Sequence, residues 1–263
     1  MEQMKLDNLI TAPWNGDQKL VNERTIEVTD KYVGADGVMT LKGMLDVMQE
    51  CAHEHLAAVN LSVEKLMEKG MMVFVTRISC KMSRMPKRGE VLSTKTWTLP
   101  EKRVGLLRYH TIDVGGERLI DAVSQWVSVD VSSRKLISSQ GFIDAWNNPF
   151  AEMANGRPAP KRLREECELT SHSRITIDEN RLDFYGHVNN SEYAGFIDET
   201  ADIKNPTGFR ITYTSEAKLG DVLDIKAFSD DNSTYFEAEF SRGVSFKAKV
   251  YFNGEVDDAE IFC

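Results

Sequence analysis

An internal repeat constrains the fold of this chain more than any other feature. Residues 88–97 read RGEVLSTKTW, and residues 219–228 read LGDVLDIKAF. Both stretches contain a Gly, an acid, Val-Leu, two further residues, a Lys and, two places on, an aromatic side chain. A turn glycine followed by alternating β-type residues is typical of a loop that leads into a strand. Finding this pattern twice predicts two copies of one fold.

A helical pattern precedes the repeated strand in both halves. In residues 40–59 the apolar side chains recur at helical spacing, and Thr40 is a candidate N-cap. The same spacing begins in the second half after Asn190, which we take as the cap there. An offset of 149 residues superimposes the two patterns and places Gly37 on Gly186. Helix and repeated strand therefore follow in the same order in each half.

Strand-like segments complete each copy, one before the helix and four after it. They cover residues 25–30, 73–80, 91–98, 104–114 and 118–131 in the first half, and 173–178, 209–214, 221–228, 233–240 and 244–252 in the second. One long helix against a mostly antiparallel sheet is an α+β layer architecture. We expect four regions, namely an N-terminal extension (1–20), a first domain (21–138), a linker (139–168) and a second domain (169–263).

Composition excludes several function classes. A net charge of −9 argues against nucleic acid as a partner. No apolar run approaches the roughly 18 residues that span a bilayer, so no stable membrane insertion is expected. The first residues carry mixed charge without an apolar segment, which favours a cytoplasmic protein. No metal-ligand spacing or dinucleotide fingerprint is present, and we expect neither a metal nor a cofactor.

The stretch RLDFYGHVNNSEYAGFIDE, residues 181–199, is the main candidate site. His187 precedes the second predicted helix, and histidine suits proton transfer near neutral pH. Asp183 lies four residues earlier, where it could orient the imidazole or help to hold a water. Asn189 and Asn190 lie at the helix start, whose free N–H groups suit a polarised carbonyl.

A second acid, Glu216, is predicted at the entrance to the repeated strand, across from the helix start. The first half holds Val38 at the position of His187 and Met85 at that of Glu216. The first copy therefore keeps the scaffold without the ionisable pair, as expected if it holds an apolar ligand. Methionines of the first half could line such a pocket or pack in the core: Met44, Met48, Met67, Met71 and Met72.

Three segments of this sequence resemble the acyl-acyl carrier protein (acyl-ACP) thioesterases. These are LDFYGHVNNSEYAGFIDE, MMVFVTRISCKMSRMPKRGEVLSTKTW and YTSEAKLGD, and the resemblance covers most of the chain. It implies two tandem hot-dog domains, each a mostly antiparallel sheet wrapped around one long helix. It also implies an enzyme of fatty acid biosynthesis that hydrolyses the thioester between a fatty acyl chain and its carrier protein.

Carried over by motif, the resemblance makes Asp183, His187 and Glu216 the catalytic residues. Tyr185 stands where the family has Asn, which makes it an uncertain site position. Ala217 follows the acid where plant members often have Cys, and this favours an activated water over a thiol nucleophile.

Alternative functions remain at this level. Hydrolysis of acyl-coenzyme A is the nearest, followed by non-catalytic acyl binding and, with less support, a hot-dog dehydratase. The oligomeric state is open, a homodimer being possible. An acidic carrier protein would dock on basic residues, for which the candidates are Lys81, Arg84, Lys87 and Arg88, or Lys161, Arg162 and Arg164.

Overall fold

One antiparallel sheet of eleven strands dominates the fold. The computed structural model describes residues 21–59, 61–100, 105–138, 169–183, 186–254 and 256–262. The first half contributes β1 (Val21–Glu27), β2 (Met71–Met82), β3 (Val91–Pro100), β4 (Gly105–Val114), β5 (Glu117–Asp130) and β6 (Leu136–Ile137). The second contributes β7 (Leu169–Thr176), β8 (Gly208–Tyr213), β9 (Val222–Ser229), β10 (Ser233–Phe240) and β11 (Gly243–Tyr251).

The strand order is symmetrical about the centre of the sheet. It runs β1-β3-β4-β5-β2-β8-β11-β10-β9-β7, with the short β6 paired to β5. When β1 to β5 are matched with β7 to β11 in chain order, the strand order in one half of the sheet is the mirror image of the strand order in the other half. The halves join where β2 pairs with β8, from Arg77 opposite Thr212 to Lys81 opposite Gly208. The predicted duplication is thus built as one continuous sheet.

Two helices pack together against this sheet, and both share its core. They are α1 (Leu41–Ala58) and α3 (Asn190–Thr200), and most of their buried apolar side chains belong to one cluster with those of the strands. Short helices that the pattern did not predict are α2 (Val63–Glu68), α4 (Asp258–Phe262) and a 3-10 turn at Glu179–Arg181. The predicted α+β class with one main helix in each half is confirmed.

The cap of α3 differs by one residue from the prediction. Asn189, not Asn190, is the N-cap, because its Oδ1 accepts the backbone N–H of Ser191 and Asn190 is already helical. The 149-residue offset already places Asn189 on Thr40, the cap of α1. The repeat was therefore a better guide to the helix boundary than the local residue preference.

The turn before each helix is closed by equivalent backbone hydrogen bonds in both halves. In the first half Gly34 N–H donates to Val38 O, and Gly37 N–H donates to Gly34 O. The equivalent bonds in the second half, 149 residues later, run from Asp183 N–H to His187 O and from Gly186 N–H to Asp183 O. Both are present. Gly37 and Gly186 have φ of 75° and 78°, a conformation that glycine adopts without strain.

The helix termini are where the two halves differ electrostatically. Asp198 of α3 reaches across to the start of α1, and its carboxylate accepts the backbone N–H of Lys42 at 3.1 Å. The same offset places Gln49 of α1 at the corresponding position. The start of α1 is therefore covered by the carboxylate of Asp198. The residue that corresponds to Asp198 with respect to the start of α3 is Gln49, which carries a neutral amide. Burial raises the pKa of Asp198 to about 6, above its ordinary value of 3.8.

We expect Asp198→Asn to stabilise the protein above pH 6. Because the pKa is higher in the folded protein than in the unfolded chain, the carboxyl stabilises the fold below pH 4, and this contribution is lost as pH rises through about 6. The loss amounts to at most about 3 kcal/mol. Asn keeps an acceptor oxygen without the charge. Urea denaturation at pH 4.5 and 7.5 measures the free energy of unfolding, and the exposed Asp202→Asn is the control. An equal effect of Asp198→Asn at both pH values would contradict the prediction.

Candidate active site

A histidine and a glutamate face each other at the start of α3. The Nε2 atom of His187 lies 3.7 Å from Oε1 of Glu216, and about a third of each side chain is exposed. His187 is presented by the turn at Gly186, and the Oδ1 atom of Asp183 accepts the backbone N–H of His187 at 3.0 Å. The Asp183 carboxylate thus holds the loop that carries the imidazole. A water beside these two atoms could form a hydrogen bond to each of them.

Two tyrosines, the buried Tyr193 and the half-buried Tyr213, fix the surroundings of Glu216. The Tyr193 hydroxyl accepts the N–H of Ala217 at 3.0 Å, which fixes the residue next to Glu216. Burial raises the pKa of Tyr193 to about 12, so the phenol stays neutral. Tyr213 donates to the carbonyl of Asn190 at 3.0 Å and joins the end of β8 to the start of α3. The two sides of the candidate site are therefore tied together by phenol groups.

The start of α3 offers donors towards the same space. The side-chain oxygen of Asn189 is used for capping. Within the described part of the chain, neither the backbone N–H of Asn190 nor its side-chain amide has a hydrogen-bond partner, and Asn190 lines the cavity. Gln49 lines it as well. These donors remain free to bind a carbonyl oxygen because no carboxylate corresponding to Asp198 covers them.

A cavity of about 470 Å³ opens between the two halves. Its volume is in the usual range for small-molecule sites. Much of its wall is apolar or aromatic and comes mainly from the first half: Ala52, Leu56, Val63, Met72, Val73, Phe74, Val75, Leu106 and Trp126, with Val188, Tyr193 and Tyr213 from the second. Of the five methionines considered for such a pocket, only Met72 lines it; Met44 and Met48 are core residues.

The residues predicted for the site meet in this cavity. Asp183, His187, Asn189, Asn190 and Glu216 all line it. Their proposed roles remain predictions. Tyr185, the uncertain position, lies outside the described residues.

The equivalent position in the first half is filled. Met85 stands where the second half has Glu216, and it is 4% exposed in the core. Val38 stands where the second half has His187 and packs against the same core. Neither residue lines the cavity, which supports a single ionisable site in the duplicated scaffold.

Sequence reasoning missed a stripe of α1 that faces the cavity. Gln49, Ala52, His53 and Leu56 line it at the helical spacing i, i+3, i+4, i+7. No motif in the sequence marks His53 as a residue of the site. Desolvation and the neighbouring Arg108 lower its pKa. The helical period contains this stripe, but only the fold shows that it faces a cavity.

The described residues contain no group of three His, Cys, Asp or Glu side chains arranged to hold a metal ion. No described helix has both the length and the apolar character needed to cross a membrane.

Comparison with known proteins identifies the same family in both halves. The model of the acyl-ACP thioesterase N-terminal domain matches residues 19–140, and that of the acyl-ACP thioesterase C-terminal domain matches residues 164–255. A chloroplastic palmitoyl-acyl carrier protein thioesterase from Gossypium hirsutum is 24% identical over 70% of this chain and 48% of its own length. A chloroplastic protein of the same name from Arabidopsis thaliana is 25% identical, with the same coverage of both chains. The chain spans about half the length of these curated relatives.

Solved structures agree in fold. An acyl-ACP thioesterase from Bacteroides thetaiotaomicron superposes with a TM-score of 0.75 at 20% identity, covering 89% of this chain and 98% of that one. A 12:0-ACP thioesterase from Umbellularia californica gives 0.74 at 21% identity, with coverages of 88% and 96%. At this identity the likeness shows the tandem hot-dog fold alone. Together with the two matched domain models, it establishes that the chain belongs to the acyl-ACP thioesterase family.

Proposed function

We propose that this protein hydrolyses fatty acyl-ACP and releases the free fatty acid. The observation that carries the proposal is the pair of His187 and Glu216 at 3.7 Å, placed where an apolar cavity meets the start of α3. Membership of the acyl-ACP thioesterase family and the names of the curated relatives support the same activity.

The proposed reaction uses water as the nucleophile. The pair of Glu216 and His187 takes a proton as the water oxygen bonds to the thioester carbon. The backbone N–H and the amide of Asn190 donate to the carbonyl oxygen, on which negative charge develops. The carbon–sulfur bond then breaks, and the proton held by the pair passes to the leaving sulfur. Asp183 holds the loop of His187 through its backbone, and Asn189 caps α3.

The two halves divide the work in this proposal. Residues 21–138 form the domain that supplies most of the acyl pocket, and residues 169–263 form the domain that supplies the catalytic residues. The division agrees with the lining of the cavity, since its apolar wall comes mainly from the first half. The proposed linker, 139–168, lies outside the described residues, as does the extension, 1–20.

The basic residues considered for carrier docking are mostly paired. Lys81 contacts Asp258 at 2.9 Å, Arg84 contacts Glu90 at 2.8 Å, and Arg88 contacts Asp30 at 3.0 Å. Among the described residues Lys87 of the same group forms no ion pair, and none of the four lines the cavity. The other candidates, Lys161, Arg162 and Arg164, lie outside the described residues. Lys218 is a further exposed cation, two residues beyond Glu216.

We expect release of free acid from palmitoyl-ACP, with a KM that rises several-fold between about 50 and 300 mM salt, because added ions screen the attraction of an acidic carrier. Palmitoyl-pantetheine, which carries no charge, is the control, and its KM should not respond to salt. Palmitoyl-CoA measured beside them tests the coenzyme A alternative, which a higher kcat/KM for that substrate would favour. Tight binding of all three without release of acid would reject hydrolysis and favour an acyl-binding protein.

A further inference from the structure

The inner wall of the cavity carries a buried cation. Arg108 on β4 is 4% exposed and lines the cavity. It lies in the first half, away from His187 and Glu216. A cationic side chain is an unexpected lining for a pocket that holds only a hydrocarbon chain, because burying charge without a counter-charge is unfavourable.

The contacts of Arg108 leave its charge uncompensated. From Nη1 it donates to Nδ1 of His55 at 3.1 Å and to Oγ1 of Thr96 at 3.3 Å. Both partners are neutral acceptors, and no carboxylate of the described residues is within ion-pair distance. Nε and Nη2 have no hydrogen-bond partner among those residues. Burial lowers the pKa of the guanidinium to about 10, and the group remains a cation at neutral pH.

An unpaired hydroxyl lies beside it. Thr98 is directly opposite Arg108 in the pairing of β3 with β4, so both side chains are on the same face of the sheet. Thr98 also lines the cavity, and its Oγ1 is buried without a hydrogen-bond partner. Two neighbouring side chains therefore line the same space, and each has a donor that no described residue accepts from. Buried donors without acceptors are uncommon in folded proteins.

The sheet order gives their depth. Glu216 follows β8, and β8, β2, β5 and β4 are successive neighbours in the sheet. Three strand spacings separate β4, which carries Arg108, from β8 by about 14 Å across the sheet. An extended carbon chain, with bonds of about 1.5 Å, advances roughly 1.25 Å per carbon, so this distance corresponds to about 11 carbons.

We propose that the cavity selects acyl chains that carry an acceptor oxygen, as a hydroxyl, oxo or carboxylate group, near their far end. This deepens the proposed function and rests on it for the identity of the thioester end. The oxygen accepts from the guanidinium of Arg108 and the hydroxyl of Thr98. A carboxylate compensates the cation fully and binds it with two parallel hydrogen bonds. A plain chain that reached the same depth would bury both donors unsatisfied.

Non-hydrolysable ligands test the proposal independently of catalysis. The probes are pantetheine thioethers bearing a dodecyl, a 12-hydroxydodecyl or an 11-carboxyundecyl chain, with binding measured by calorimetry. We expect the wild type to bind both oxygenated chains at least about 10-fold more tightly than the dodecyl chain. Arg108→Met should remove this preference and leave binding of the dodecyl chain equal or stronger. Preference for the plain chain, or equal loss of all three ligands in Arg108→Met, would overturn the proposal.

Thr98→Val is the second variant, in case Arg108→Met does not fold. It removes the hydroxyl with little change of shape and should weaken only the oxygenated ligands, by several-fold. Thr111→Val is its matched control, because the Thr111 hydroxyl is also buried and unpaired but does not line the cavity. Equal effects of the two valine variants would contradict the role of Thr98.

The same ligands separate this inference from the proposed function. If the oxygenated thioethers bind preferentially and no thioester is hydrolysed, the hydrolase assignment fails and the chain selectivity stands. If plain thioesters are hydrolysed and the thioethers bind without preference, the selectivity fails and the hydrolase assignment stands.

Discussion

Replacing Glu216 with Gln should lower kcat for acyl-ACP hydrolysis by about 10²- to 10⁴-fold, the usual contribution of a general base. Gln keeps the size of the side chain and its position 3.7 Å from His187, but it cannot take a proton. His187→Ala should have an effect of the same order, since it removes the partner in proton transfer. KM should change little in either variant, because the acyl chain is bound elsewhere in the cavity. Steady-state release of free fatty acid measures both parameters.

The double variant provides a sharper test of the pair. If His187 and Glu216 act on one proton, removing both should cost little more than removing either, because groups that act as a unit are not additive. The matched control is His172→Ala. His172 also pairs with a carboxylate, Asp224 at 2.6 Å, but it lies on β7 and does not line the cavity. Wild-type rates in Glu216→Gln and His187→Ala would refute the assignment, as would an equal loss in His172→Ala.

The fold followed from the sequence where the signal was local or repeated. Strand boundaries such as Ser233–Phe240 agree with the run of β-type residues that predicted them, although burial alternates only in the second half of this strand, since its first four residues are all buried. The offset between the repeats aligned even the backbone bonds of the turns at Gly34 and Asp183. The cap at Asn189 was placed one residue late, since adjacent asparagines are equally good caps by preference alone.

The site was predictable only in part. The loop of His187 and the acid at Glu216 are visible because the repeat shows what the second half has gained over the first. The cavity is not visible in the sequence, because it arises from pairing between β2 and β8 and from the packing of α1 on α3. Gln49 and Arg108 join the site through those long-range contacts. No spacing along the chain relates either residue to His187.

Gly43→Ala should lower the free energy of unfolding by about 2 kcal/mol or more, the cost of overpacking a tight contact. A Cβ at this position in α1 would overlap the carbonyl oxygen of Tyr32, which is backbone and already accepts the N–H of Thr40. Tyr32 cannot withdraw easily, because its hydroxyl donates to Glu50 at 3.0 Å. The clash outweighs the gain of about 1 kcal/mol that Ala normally gives in a helix. Thermal denaturation should show a Tm lower by about 4–8 °C.

Gly195→Ala is the matched control for that prediction, in the other main helix. Its added Cβ would meet the Cδ atom of Lys42 at 3.1 Å, and a lysine side chain can move aside. Helix propensity should then dominate, leaving the Tm unchanged or slightly raised. An equal loss of stability in both variants would mean that any added methyl group disturbs the packing of α1 on α3. A loss confined to Gly43→Ala would identify the close approach to Tyr32 as the reason that α1 needs glycine at this position.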